Sequence, residues 1–192
     1  MKSHSIHTLT KGLLALTITL LAVSCNHHTP KPSGYFRIDM DKPAYQMFSN
    51  NSFQLLYSQK AQIEQADANK EWFNIFYPAF NASIHCSYMN ISPKDYTLAV
   101  EDSRKFVYKH SVKADNIRSR LYENPQNNTS GILYEIDGAV ASPIQFTLSD
   151  STSFFFRGAL YFNFSTNRDS ITPILNSIKE DIGLLMETFQ QK

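Results

Sequence analysis

An apolar stretch near the start of the chain indicates which residues belong to the folded domain and which do not. Residues 13–23 are all apolar or threonine, and Lys2 and Lys11 give the stretch a basic flank. The stretch is too short for a stable membrane-spanning helix, which needs about 20 apolar residues. A basic start followed by a short apolar core is typical of a secretory signal, which the mature protein loses. We therefore expect residues 1–24 to be a signal peptide.

A cysteine follows this stretch in a specific context. The sequence Leu21-Ala22-Val23-Ser24-Cys25 resembles the bacterial lipobox, although Ala22 stands where leucine is commoner. Small residues before the cleavage point allow a peptidase to approach the backbone, and the cysteine becomes the first mature residue. Each buried methylene of an attached fatty acid contributes about 0.8 kcal/mol, so two or three chains anchor a protein firmly. The motif predicts acylation of Cys25 and attachment to a membrane.

The remaining composition predicts one domain without a strong charge. The mature chain, residues 25–192, has 168 residues, and removing Lys2 and Lys11 from the 18 basic residues leaves 16 against 17 acidic ones, a net charge of −1. A net charge so close to zero produces no electrostatic field that would attract nucleic acid or an anionic membrane surface. Once Cys25 is acylated, Cys86 is the only other thiol, so no internal disulfide can form. We expect a proline-containing tether at 25–34 and a single domain at 35–192.

The hydrophobic periodicity predicts an α+β fold. Strand-like alternation occurs at 34–39, 53–57, 72–77, 82–88, 115–122, 132–136, 144–148 and 154–163. Amphipathic helices are predicted at about 93–111, where Ser92 and Asp95 form a capping pattern, and at about 170–190. The segment at 144–148 has the pattern of a half-exposed strand, whereas 154–163 is apolar on both faces and should lie near the middle of the sheet. This order indicates a mostly antiparallel sheet flanked by two helices, somewhat like the PsbP/Mog1 kind of domain.

Residues capable of catalysis or metal binding are few and scattered. No glycine-rich phosphate loop, nucleophile elbow or paired zinc-binding histidine motif is present, and we expect no cofactor and no metal. Cys86 and His85 are neighbours on one predicted strand and should face opposite sides. Glu135 and Asp137 share a face, which allows an acid/base pair; a structural ion pair between Glu135 and Arg157 is the preferred interpretation.

Aromatic residues form two dense groups. One spans residues 72–80 and the other spans residues 154–162. Most of these side chains should belong to the core, and some could form a surface that binds a partner, since aromatic side chains dominate interface energies. The sequence leaves both interpretations open.

Several segments together resemble one known family. They are Thr29-Pro30-Lys31-Pro32-Ser33-Gly34-Tyr35-Phe36-Arg37-Ile38-Asp39, Trp72-Phe73-Asn74-Ile75-Phe76-Tyr77-Pro78, Asp102-Ser103-Arg104-Lys105-Phe106-Val107-Tyr108-Lys109-His110, Gly131-Ile132-Leu133-Tyr134-Glu135, Val140-Ala141-Ser142-Pro143-Ile144-Gln145-Phe146, Phe156-Arg157-Gly158-Ala159-Leu160-Tyr161-Phe162 and Lys179-Glu180-Asp181-Ile182. The mature chain is similar over nearly its whole length to the gliding-motility lipoproteins of the GldD family.

The resemblance implies a non-enzymatic lipoprotein of the cell envelope that supports gliding and the linked type IX secretion machinery. It carries over one functional position, Cys25, and makes Tyr35, Phe36 and Arg37 candidates for contact with partner proteins. We expect a lipid anchor facing the periplasm, with the choice between inner and outer membrane left open. Two alternatives remain: a lipid-anchored module that binds a lipid, sugar or peptide, and a hydrolase whose cleft unites Glu135, Asp137 or His110.

Overall fold

Ten strands and two α-helices make up the part of the chain that the structure describes. The computed structural model describes residues 44–65, 71–109, 113–163 and 168–192, all within one compact unit, Tyr35–Lys192. In chain order the elements are β1 (Tyr45–Ser49), β2 (Phe53–Ser58), β3 (Gln62–Gln65), β4 (Trp72–Tyr77), β5 (Ala82–Asn90), α1 (Tyr96–Tyr108), β6 (Ala114–Asn124), β7 (Thr129–Gly138), β8 (Ile144–Ser149), β9 (Phe154–Phe162), α2 (Arg168–Thr188) and β10 (Gln190–Gln191).

Seven of these strands form one antiparallel sheet in the order β3-β4-β5-β9-β8-β7-β6. The predicted α+β class and mostly antiparallel sheet are therefore confirmed. Strand β9 is the fourth of the seven, as its two apolar faces predict. Short hairpins join β4 to β5, β6 to β7 and β8 to β9, while α1 carries the chain from β5 across to the far edge strand β6.

One face of the large sheet carries the main hydrophobic core. Helix α2 packs on it through Ile178, Ile182 and Leu185, each at most 1% exposed. Gly158 in β9 makes room for the ring of Phe146 in β8, because a Cβ at Gly158 would lie 2.2 Å from two ring carbons. The apolar stripe predicted for the C-terminal helix is thus its buried side.

A second, three-stranded sheet of order β1-β2-β10 completes this layer beside α2. Its anchor is Phe53, whose ring lies 5.0 Å from that of Tyr88 and 5.4 Å from that of Phe189, centroid to centroid. The periodicity predicted β2 but neither β1 nor β10. The small sheet is therefore an addition to the predicted architecture.

Helix α1 packs on the opposite face of the large sheet, over its β6–β7 end. Val107 is fully buried there against Tyr134 and Ile136. The helix begins at Tyr96, three residues later than predicted, and residues 93–95 form a turn before it. The reciprocal half of the predicted capping pattern is present, since the backbone N–H and the hydroxyl of Ser92 donate to Oδ2 of Asp95 at 3.2 and 2.6 Å. The side chain of Ser92 therefore does not cap a helical amide.

Strand β8 departs from the prediction. All six of its residues are buried, including the polar Gln145, Thr147 and Ser149 that suggested a solvent face. The side chains of Tyr96 and Val100 in α1 lie against the cavity that also contacts Thr147 and Ser149. The half-exposed assignment was wrong because the helix covers this part of the sheet.

Some predictions fall outside the described residues. These are the signal peptide at 1–24, the tether at 25–34 and the strand at 34–39. The division into these segments and a domain at 35–192 stays a prediction, as does the likeness to the PsbP/Mog1 kind of domain. Within the described ranges, no helix combines the length and the apolar character needed to cross a membrane.

Candidate functional site

A groove of about 510 Å³ lies on the α1 side of the large sheet, between α1 and strands β4, β5 and β9. One wall is formed by α1, with Ala99, Asp102, Ser103 and Phe106. The other carries Trp72 from β4 and Met89 from β5, which are 57% and 41% exposed. A concave site of this size, mainly apolar with a few polar groups, is the usual form of a small-molecule binding site.

The floor of the groove follows from the strand register. Trp72 pairs with Ser87, and Ser87 pairs with Arg157, so these three side chains lie in one row across three strands. Neighbouring strands are about 4.8 Å apart, so Trp72 and Arg157 stand roughly 10 Å from each other with only the small Ser87 between them. The groove exists because a short side chain occupies the middle of this row.

Arg157 is the most unusual residue of the groove. Its guanidinium lies 4.2 Å from the centroid of the Phe106 ring, and its Nη2 donates to Oε1 of Gln145 at 3.1 Å. The Nε of Arg157 and the Nε2 of Gln145 are buried, and neither has a hydrogen-bond partner among the described residues. Burial lowers the pKa of Arg157, but an arginine stays protonated at neutral pH. The central strand therefore holds a half-buried positive charge.

The predicted ion pair between Glu135 and Arg157 is not formed. Glu135 pairs in register with Ile144, which pairs with Leu160, so Glu135 lies on the α2 face of the sheet. Arg157 pairs with Thr147 and lies on the α1 face. The prediction was wrong because the two residues are separated by the sheet itself.

Glu135 and Asp137 do share a face, and cations face them both. Arg118 on β6 lies 3.4 Å from Glu135 and 3.2 Å from Asp137, and Lys179 on α2 lies 3.3 Å from Glu135. Neither carboxylate lines the groove. The arrangement is that of a partly exposed ion-pair network between the sheet and α2.

The predicted orientations of Cys86 and His85 are confirmed. Cys86 is 4% exposed within the core on the α2 face, and burial raises the pKa of its thiol far above the ordinary value. A thiol held in this protonated form is a poor nucleophile. His85 points into the groove beside Tyr161, with ring centroids 4.9 Å apart, and burial lowers its pKa.

Phe106 and Ser87 were not predicted as site residues, whereas Trp72 belongs to the aromatic group for which a binding surface was left open. The alternation of Ser83, His85 and Ser87 in β5 indicated a polar face, but the position of α1, which bounds the groove, is a tertiary feature. The aromatic groups divide largely as expected: Phe73, Tyr77, Phe154, Phe155 and Phe156 are buried, whereas Trp72 is exposed. Within the described segments, no three His, Cys, Asp or Glu side chains cluster closely enough to hold a metal ion.

A buried carboxyl group lies under α2, away from the groove. Asp181 is 8% exposed and accepts a hydrogen bond from the Tyr77 hydroxyl at 3.1 Å. Desolvation raises the pKa of Asp181, while hydrogen bonds from Tyr77, Ser58 and Tyr45 and the charge of Lys60 oppose the rise. This carboxyl group joins α2 to both sheets.

Asp181 should make stability depend on pH. Because its pKa is higher in the folded than in the unfolded chain, the folded protein binds more protons above about pH 4, the ordinary range of aspartate. Its contribution is fully present below that pH and is lost as the pH rises through the folded pKa. Asp181→Asn keeps an acceptor for Tyr77 and should abolish this decline, measured as urea midpoints between pH 4 and 7. Parallel pH profiles for the two proteins would contradict the assignment.

Several predicted site residues lie outside the described residues. They are Cys25, Tyr35, Phe36, Arg37 and His110. The lipid-anchor and partner-contact assignments to the first four therefore stay predictions. The same holds for a catalytic role of His110.

Comparison with known proteins identifies the family. No curated protein matches the sequence. The family model described as gliding motility lipoprotein GldD matches residues 25–191, from the predicted lipidation site to the end of the last described strand. The match covers both helices, both sheets and the groove between α1 and the large sheet. The chain therefore belongs to the GldD family of gliding-motility lipoproteins, proteins attached to the cell envelope by lipid.

Proposed function

We propose that the mature protein is an accessory component that helps to assemble or stabilise the gliding apparatus and the linked type IX secretion machinery. It would be attached to a membrane through lipid on Cys25, with its folded domain in the periplasm. The main support is the family match, which begins at Cys25. The match agrees with the lipobox-like sequence that precedes the same residue.

The proposed role is non-enzymatic. The residues that would have suited catalysis are occupied in other ways: Glu135 and Asp137 face Arg118, and Cys86 is buried in the core. The net charge of −1 also favours attachment through lipid rather than through electrostatic attraction to an anionic surface. These features support an interaction protein that depends on its position and its folded surface.

Genetic complementation tests this proposal. Deletion of the gene should abolish or strongly reduce spreading on agar and change the set of secreted proteins, and the wild-type gene should restore both. A Cys25→Ser gene should fail to restore them, since the product cannot be acylated, although immunoblots detect it. Normal spreading and secretion in the deletion strain would contradict the proposal, and full rescue by Cys25→Ser would contradict the need for a lipid.

A lipid-anchored ligand-binding module is the second candidate. One observation favours it: the groove of about 510 Å³ with aromatic walls and the polar side chains of Asn74, His85 and Arg157. An assembly factor could also bind a small ligand, so the two candidates are compatible. The groove has to be tested by binding rather than by gliding.

A further inference from the structure

We propose that the groove binds a small anionic amphiphile, with a carboxylate head on Arg157 and an aliphatic chain between Trp72 and Phe106. This inference deepens the second candidate function, ligand binding, and does not depend on a role in gliding. Three features of the groove carry it: the uncompensated charge of Arg157, a second cation beside the Phe106 ring, and exposed apolar side chains with open space between them.

The first feature is the charge of Arg157. Among the described residues no carboxylate lies within ion-pair distance of its guanidinium, and its one hydrogen bond goes to the neutral Gln145. Asp102 also lines the groove but pairs with Lys105 at 2.9 Å. Placing a cation in the central strand without a countercharge costs free energy that an incoming anion would offset. Arginine is suited to this partner because its planar donors match a carboxylate.

The second feature is the positive character of the rim. The ring of Phe106 contacts two cations, since Lys109 Nζ lies 4.8 Å from its centroid in addition to Arg157 at 4.2 Å. Phe106 itself is 44% exposed. Lys109 does not line the groove, but the two distances place its Nζ within 9.0 Å of the Arg157 guanidinium carbon. Both charges therefore favour an anionic ligand over a cationic one at Arg157.

The third feature is the shape and chemistry of the remaining surface. Trp72, Met89 and Phe106 provide apolar side chains that are 57%, 41% and 44% exposed. Between these apolar side chains the floor of the groove is formed by the small residues Ser87 and Ala159, which leave open space above the sheet. The volume suits a small molecule and leaves room for an aliphatic chain beside the head group.

Trp72 makes occupancy measurable, because it is the only tryptophan of the chain and lines the groove. The mature lipoprotein in non-ionic detergent would be titrated with octanoate and with octanamide, its uncharged match, while Trp72 emission is recorded. A charge-assisted hydrogen bond is worth enough to make octanoate bind about 10- to 100-fold more tightly than octanamide. The Arg157→Gln variant should weaken octanoate binding by a similar factor and leave octanamide binding unchanged.

Arg118→Gln is the matched control, since Arg118 lies outside the groove; its octanoate affinity should stay that of the wild type. If circular dichroism shows that Arg157→Gln does not fold, Phe106→Ala replaces it, since Phe106 is partly exposed. Phe106→Ala removes apolar contact area from the aliphatic chain and should weaken octanoate binding by about two- to fivefold. Equal affinity for octanoate and octanamide, unchanged octanoate binding in the folded variant, or no saturable change in wild-type emission would each overturn the proposal. None of these outcomes bears on the gliding phenotype.

Discussion

Replacing Phe53 by alanine is expected to lower the free energy of unfolding by about 3–5 kcal/mol, the usual cost of removing a fully buried phenylalanine ring. Phe53 is 0% exposed. Its ring centroid lies within 6 Å of those of five other aromatic residues, Phe48, Phe73, Tyr88, Phe156 and Phe189. Because these five come from β1, β4, β5, β9 and the C-terminal segment, truncation leaves a cavity where both sheets meet.

Urea denaturation followed by circular dichroism measures this loss. Leu98→Ala is the control, because Leu98 is 59% exposed on α1 and a surface change of this kind usually alters stability by no more than about 0.5 kcal/mol. A Phe53→Ala protein as stable as the Leu98→Ala protein would show that the small sheet does not pack on the large one through this ring.

Gly158→Ala is expected to destabilise the protein by about 1–3 kcal/mol or more, the usual range for overfilling a packed core. The added Cβ would lie 2.2 Å from Cε1 and Cζ of Phe146, whose side chain is 0% exposed. The measurement is again the urea midpoint. Combining Gly158→Ala with Phe146→Leu should recover part of the loss, because the shorter side chain vacates the position of the ring.

Gly183→Ala provides the matched control for this substitution. Gly183 lies inside α2, and a Cβ there would meet nothing within 4 Å. The same chemical change should therefore stabilise the protein by about 0.5–1 kcal/mol, since alanine restricts the unfolded chain and favours the helix. If both alanine variants shifted stability in the same direction, the steric explanation for Gly158 would fail.

The local elements of this fold could be predicted from the sequence. Strands β5 and β9 and helix α2 each have a periodicity that depends only on their own residues, and the structure confirms all three. The central place of β9 also followed from its two apolar faces. These features are set by burial along one element, which a single sequence records well.

Features that depend on pairing between distant elements could not be predicted. The prediction of an ion pair between Glu135 and Arg157 was wrong because neither strand alone determines which face of the sheet each side chain occupies. The faces depend on how β7 and β9 each pair with β8, which lies between them. Strand β10 has only Gln190 and Gln191, which pair with β2 more than 130 positions earlier. The groove likewise depends on where α1 stops covering the sheet. The sequence therefore predicted most of the elements but not the site.

The central claim is that lipid on Cys25 makes this folded domain part of the cell envelope. The most direct test is mass spectrometry of the N-terminal peptide of the protein purified from its native membrane. The account predicts a peptide that begins at Cys25 and carries acyl chains on that residue. A peptide that begins elsewhere, or one that begins at an unmodified Cys25, would contradict it.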